Sequence, residues 1–139
     1  MDPRARAFVD LFENLKPADV AWLGRYYTEQ AYFRDPFNEV HSLAGIQAIF
    51  DHMFKSLEAP RFKVLDVLVQ DQQCFLSWDF EFGLRGRSER IHGASHLRFA
   101  DDGRVAYHRD YWDAAEELWE KVPVLGALMR WLRLRLRVA

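Results

Sequence analysis

Up to Pro60 the apolar residues recur three and four positions apart, and beyond it they recur at every second position. The first spacing marks one face of a helix, the second one face of a strand. Residues 3–15 carry Phe8, Leu11, Phe12 and Leu15 on one side, which predicts an amphipathic helix that Lys16-Pro17 breaks. Pro17 suits the first turn of a second helix, where its missing N–H costs nothing. That helix is expected to run to about Tyr27 on Val20, Leu23, Tyr26 and Tyr27. Residues 31–34 read as a short extended piece, ended by Asp35-Pro36 because a residue before proline is pushed out of the helical region. A third helix follows Ser42, a suitable N-cap. Its stripe is Leu43, Ile46, Ile49, Phe50, Met53, Phe54 and Leu57, and Pro60 stops it.

Strands take over from there. Residues 61–70 alternate with a slip near Leu65-Asp66 that predicts a bulge. Leu76, Trp78, Phe80, Phe82 and Leu84 alternate with Ser77, Asp79, Glu81 and Gly83. Ile91, Gly93, Ser95, Leu97 and Phe99 alternate with Arg90, His92, Ala94, His96 and Arg98. The stretch GRVAYHRDYWD, from Gly103 to Asp113, has Ala106, His108, Asp110 and Trp112 on one face and Val105, Tyr107, Arg109 and Tyr111 on the other. Turns around Asp71-Gln72, Arg85-Gly86 and Asp102-Gly103 are short enough for hairpins. Helices followed by long consecutive strands predict an α+β domain, an antiparallel sheet with helices on one face.

Burial selects a register. A four-residue loop from Arg85 to Ser88 pairs Phe82 with Ile91, Phe80 with Gly93 and Trp78 with Ser95. A one-residue slip would set Trp78 and Phe80 beside Arg90 and His92, which burial penalises. A four-residue loop from Ala100 to Gly103 then pairs Ser95 with His108 and Gly93 with Asp110. Gly93 would leave space beside the carboxylate, and Ser95 could hydrogen-bond the imidazole. A three-residue loop with Gly103 in the left-handed region would reverse the facing of the last strand, and the pattern alone leaves that alternative open.

Beyond Asp113 two further helical segments are expected, over 114–121 and, after Pro123, to Arg137, as a C-terminal extension (113–139) of one domain covering 1–139. Lys121, Arg130, Arg133, Arg135 and Arg137 follow the last acid, Glu120. This arginine-rich stretch reads as a solvated helix face, with a lid, a dimer element or a membrane-surface contact as the alternatives. Half of the 139 residues are hydrophobic and 15% aromatic, enough for a thick core or an aromatic-lined cavity. A net charge of −2 argues against a nucleic-acid binder. A single cysteine, Cys74, excludes an internal disulfide and fits a reducing compartment. The N-terminus has no apolar core of a signal peptide and no run is long enough to span a membrane, so a cytoplasmic location is expected. A metal site on the outer face, His92 and His96 with Glu81 opposite His92, has too few ligands to be expected, and no cofactor is expected either.

The order of elements resembles the nuclear transport factor 2-like superfamily, whose bacterial members include the ketosteroid isomerases and the SnoaL-like polyketide cyclases. The resemblance rests on Tyr32-Phe33-Arg34-Asp35-Pro36, on Gly45-Ile46 opening the third helix, and on Ser95-His96-Leu97-Arg98-Phe99 with Gly103-Arg104-Val105; it covers residues 6–113. It implies a curved sheet wrapped round a long helix, a cone with an apolar pocket at its open end. It also implies that His108, Asp110 and Trp112 face that pocket, with Tyr27, Phe33, Met53, Phe54, Trp78, Phe80 and Ser95 among its walls.

The resemblance also assigns roles. Asp35 matches the carboxylate that shuttles the proton in the ketosteroid isomerases. The acid those enzymes keep in the pocket falls on Ser95, and their tyrosine falls among Phe8, Leu11 and Phe12, none of which donates a hydrogen bond. An enolate oxygen without preorganised donors loses about 3–4 kcal/mol per missing group, which argues against steroid isomerisation by that route. The expectation is a small, mostly apolar ligand and, if there is chemistry, cofactor-free isomerisation, cyclisation, dehydration or hydrolysis. Asp35 would be the base, with His108 and Asp110 the acid or orienting pair. The alternative is a non-catalytic binding or dimeric interaction module of the same fold. A homodimer through the outer sheet face is expected in either case.

Overall fold

The computed structural model describes residues 1–112, 131 and 134–138; within 1–112 the chain forms two α-helices, a 3-10 helix and a sheet. Helix α1 (Pro3–Glu13) starts at Asp2, whose carboxylate accepts the Arg4 backbone N–H at 2.8 Å, and buries Phe8, Leu11 and Phe12. Helix α2 (Leu43–Ser56) starts at Ser42, whose hydroxyl oxygen accepts the Gly45 N–H at 3.0 Å, and buries Ile46, Ile49, Phe50 and Met53. Between them the expected second helix is a 3-10 helix, Pro17–Arg25, and it ends before Tyr27. The extended piece is a full strand, β1 (Tyr27–Arg34), which turns back into a short β2 (Glu39–Val40).

The remaining strands are β3 (Glu58–Gln70), β4 (Gln73–Leu84), β5 (Arg87–Phe99) and β6 (Val105–Tyr111). They form one six-stranded sheet in the order β2-β1-β6-β5-β4-β3. The sheet is mixed rather than wholly antiparallel, because β1 runs parallel to β6. Helix α2 touches both β1 and β3, strands four places apart in that order, so the sheet curls round the helix and the core lies inside the curl. The bulge expected near Leu65-Asp66 is present between Val64 and Asp66.

Both expected registers are displaced by two residues over most of their length, which keeps the side chains there on their expected faces; the start of β6 is the exception. Leu84 pairs with Arg87, leaving a two-residue turn, Arg85-Gly86, with φ of 52° and 77°. Positive φ at both positions matches the twist of a hairpin, at a strain cost for Arg85. Trp78 therefore faces Gly93 and Phe80 faces Ile91. A Cβ on Gly93 would sit 2.5 Å from the Trp78 ring, so the space the glycine leaves goes to the indole and not to a carboxylate.

The β5–β6 connection holds two irregularities that offset each other. Ala100 N–H donates to Arg104 O, and Gly103 has φ 87°, so the loop is the three-residue form that reverses the strand's facing. Phe99 consequently pairs with Val105, which is buried rather than on the outer face. Arg98 then pairs with Tyr107, leaving Ala106 as an extra residue in β6. This bulge reverses the facing a second time, so His108 and Asp110 return to the inner face, opposite Leu97 and Ser95. The helical segment expected over 114–121 lies outside the described residues; of the second, residues 131 and 134–136 are helical.

Candidate functional site

A cavity of about 630 Å³ of empty volume, counted out to its open side, lies between α2 and the inner face of the sheet. Its walls include Phe33, Met53, Trp78, Phe80 and Trp112, and two carboxylates, Asp35 and Asp110, line it. A smaller space of about 330 Å³ lies behind, under α1, lined by Phe8, Phe12, Ser95 and His108. Asp110, Trp78 and Phe62 line both. The structure thus brings Asp35 and Asp110 to one cavity and places His108 and Ser95 behind Asp110. Tyr27 and Phe54 line neither space.

Asp110 is the middle of a hydrogen-bond chain that crosses four strands. One of its oxygens, Oδ1, accepts from the Ser95 hydroxyl and lies 2.6 Å from His108 Nε2. The Ser95 oxygen in turn accepts the Trp78 indole N–H at 2.8 Å. On the far side, His108 Nδ1 is 2.7 Å from the Tyr27 hydroxyl. Tyr27 and His108 are buried among Phe8, Phe12 and Phe33, whose ring centroids stand 4.7–6.0 Å from the imidazole. The hydrogen bonds assign the tautomer: Asp110 Oδ1 accepts the Nε2–H, leaving Nδ1 to accept the Tyr27 O–H. Burial, and after it the charge of Asp110, raise the Tyr27 phenol well above its usual range, which keeps that proton in place.

Asp35 is held by backbone instead. Its Oδ1 accepts the N–H groups of Phe37 (2.8 Å) and Asn38 (2.7 Å), and its own N–H closes the turn onto Asn38 O at 2.9 Å. Pro36 sets the second position of this turn, as Asp-Pro sequences do. The residue is partly covered, and desolvation at the cavity wall, against the pull of the Phe37 N–H and with help from the nearby Asp110 charge, pushes its carboxyl up to about 6. Asp35 is therefore poised to exchange a proton near neutral pH.

Two participants were not foreseen in the sequence. Asn38 is 5% exposed and anchors residues 136–138, and Leu136 lines the cavity beside Asp35. A turn signal, Asp-Pro-Phe-Asn, was present, but its partner lies 98 residues away. On the outer face the two-residue register change puts Asp79, not Glu81, opposite His92, with His92 Nδ1 2.9 Å from Asp79 Oδ1. Among the described residues no group of three metal-ligating side chains comes together. Nor is any described helix long and apolar enough to cross a membrane.

This architecture is that of the nuclear transport factor 2-like fold. The SnoaL-like domain profile matches residues 5–108, and the chain belongs to that family. TerC, co-crystallised with polyporic acid, is 15% identical with a TM-score of 0.73, over 87% of this chain and 98% of that one. A Catenulispora acidiphila protein with a ketosteroid isomerase-like fold, in complex with trimethylamine, is 12% identical with a TM-score of 0.72, over 86% and 92%. An LEH-like epoxide hydrolase of M. tuberculosis is 14% identical with a TM-score of 0.69, over 91% and 92%. At these identities the likeness is one of fold. No curated protein matches the chain.

Proposed function

We propose that the cavity binds a small, mostly apolar organic molecule and acts on it by cofactor-free acid–base chemistry. The observation that carries this reading is a pair of carboxyl groups lining one aromatic cavity, one of them raised to about 6. In this reading Asp35 takes or gives the proton at the reacting carbon or oxygen. Asp110, braced by Ser95 and His108, orients the substrate's polar group or the second proton. Isomerisation, cyclisation, dehydration and hydrolysis are all reactions that a positioned acid and base can promote. The epoxide hydrolase among the fold neighbours supports the hydrolytic member of that set by analogy of fold.

The test has two stages. Native mass spectrometry of protein purified from its host identifies a retained small molecule, and that molecule or its close analogues define the assay. Asp35→Asn, which keeps the shape and removes the basicity, is then expected to bind the molecule and to lose turnover by about 10²-fold or more. Full activity in this variant would remove Asp35 from the mechanism.

A dimeric form of the domain is supported by the outer face of the sheet. Leu68 and Phe75 face each other across β3 and β4 and are 73% and 50% exposed. Phe75 stacks on His96, His96 meets Tyr107, and Tyr107 stacks on Tyr32, a row of rings reaching β1. Exposed aromatic and arginine side chains are what specific interfaces use. Two copies paired through this row are expected in sedimentation at concentrations on the order of tens of micromolar, and a monomer there would count against the pairing.

A further inference from the structure

The last carbonyl groups of a helix have no partner within it. In the helical turn at residues 134–136, those of Arg135 and Leu136 are taken by the rim of the cavity. Arg135 O accepts the hydroxyl of Ser56, at the end of α2, at 3.1 Å. Leu136 O accepts Asn38 Nδ2–H at 2.6 Å, and the Val138 N–H donates to Asn38 Oδ1 at 2.7 Å. Asn38 therefore uses both ends of its amide on this segment. A further attachment comes from Trp131, whose ring centroid lies 5.9 Å from the Arg85 guanidinium of the β4–β5 turn and 5.3 Å from that of Arg135. The segment is thus tied to the β1–β2 turn, the end of α2 and the β4–β5 turn.

Among its described residues, Leu136 is the one that lines the cavity. Leu134 is 78% exposed, whereas Leu136 is partly buried and lines the cavity. Most of the other apolar walls stand on α2 and on strands, where moving them would break a helix or a ladder; Phe37, Leu57 and Trp112 sit just beyond the ends of such elements. Leu136 stands on a segment tied by side-chain hydrogen bonds at the rim, each worth about 1 kcal/mol net. Asn38 also supplies one of the two N–H groups that hold Asp35, so the position of this wall and that of the carboxylate are set by the same residue.

We propose that Leu136 is the end wall of the cavity and Asn38 the latch that fixes it, so that together they set the length of the apolar molecule accepted next to Asp35. The proposal rests on the ligand-binding reading above and adds a specificity determinant to it. The ligand class it implies is a linear or flat apolar molecule whose far end abuts an aliphatic side chain.

A homologous series of 4-alkylphenols, ethyl to octyl, measures this by isothermal titration on the full chain. Affinity is expected to rise about four-fold per methylene while the chain is being buried, then to stop rising at a cut-off length. Leu136→Ala is expected to move the cut-off to longer chains and Leu136→Phe to shorter ones. Asn38→Ala is expected to blur it; should that variant not fold, Ser56→Ala loosens the same segment from its other tie. Binding with a cut-off unchanged in both folded Leu136 variants overturns the wall and leaves the ligand-binding reading standing. Failure of every alkylphenol to bind every one of these proteins overturns both.

Discussion

Asp35 and Asp110 look into one cavity, yet the chain secures them by different means. Asp110 stands on β6 and is braced by side chains from three other strands and its own: Ser95 directly, His108 directly, and Trp78 and Tyr27 through them. Asp35 sits in a tight turn and is braced by two neighbouring backbone N–H groups. A carboxylate held by side chains depends on the whole sheet and supports it in return. One held by a turn depends on a few consecutive residues, so its environment can be tuned with little effect elsewhere. In this molecule the locally held group carries the raised pKa, and the network-held group joins the strands.

The contrast breaks most plainly in stability. His108→Ala empties a site packed by Phe8, Phe12 and Phe33 and leaves the Tyr27 hydroxyl and Asp110 without their partner. A loss of about 3–5 kcal/mol in chemical denaturation is expected, the scale for truncating a buried aromatic ring. Asp35→Asn, measured alongside at pH 7, is expected to cost nothing or to stabilise. Equal losses in both variants would erase the distinction.

Next in size is the pH dependence of Asp35. Its folded pKa of about 6 stands above the 3.8 of the free group, so between those values the folded state holds more proton than the unfolded state. Stability attributable to this group is therefore fully present below about pH 4 and falls as pH rises through about 6, by on the order of 2–3 kcal/mol. Denaturation midpoints of the parent and of Asp35→Asn at several pH values isolate that slope. A difference that does not change between pH 4 and pH 7 would show an Asp35 with ordinary acidity.

The smallest effect sharpens the other side. Tyr27→Phe keeps the ring and strips the donor from His108 Nδ1, which should cost about 1–3 kcal/mol. Nitrogen-15 chemical shifts of the imidazole in the parent protein should report Nε2 as protonated and Nδ1 as an acceptor. The reverse tautomer would mean that the chain of hydrogen bonds runs in the other direction.

How much of this was legible in the sequence depends on the kind of signal. Helix α2, its Ser42 cap and the bulge at Leu65 could be read directly, because each is a local departure in period or a local residue preference. The two-residue displacement of β4 against β5 could not, since a period of two is blind to any even shift. Only the turn distinguishes them, and an arginine at positive φ is a poor advertisement for a two-residue hairpin. The full length of β1 was hidden for another reason: it pairs with β6, more than seventy residues on, and no local pattern encodes a parallel partner. Within the site, Asp35 and Asp110 stood out as carboxylates among aromatics. Tyr27 as the far end of the His108 chain, and Asn38 as the anchor of residues 136–138, depend on contacts between distant segments.

Ala106 is a small, unremarked residue, yet the orientation of the candidate site turns on it. The three-residue loop before it sends Val105 inward, and the extra residue is what brings His108 and Asp110 back to the same side. Were the same residues paired without the bulge, Ala106 would face Arg98, and Tyr107, Arg109 and Tyr111 would be delivered to the interior.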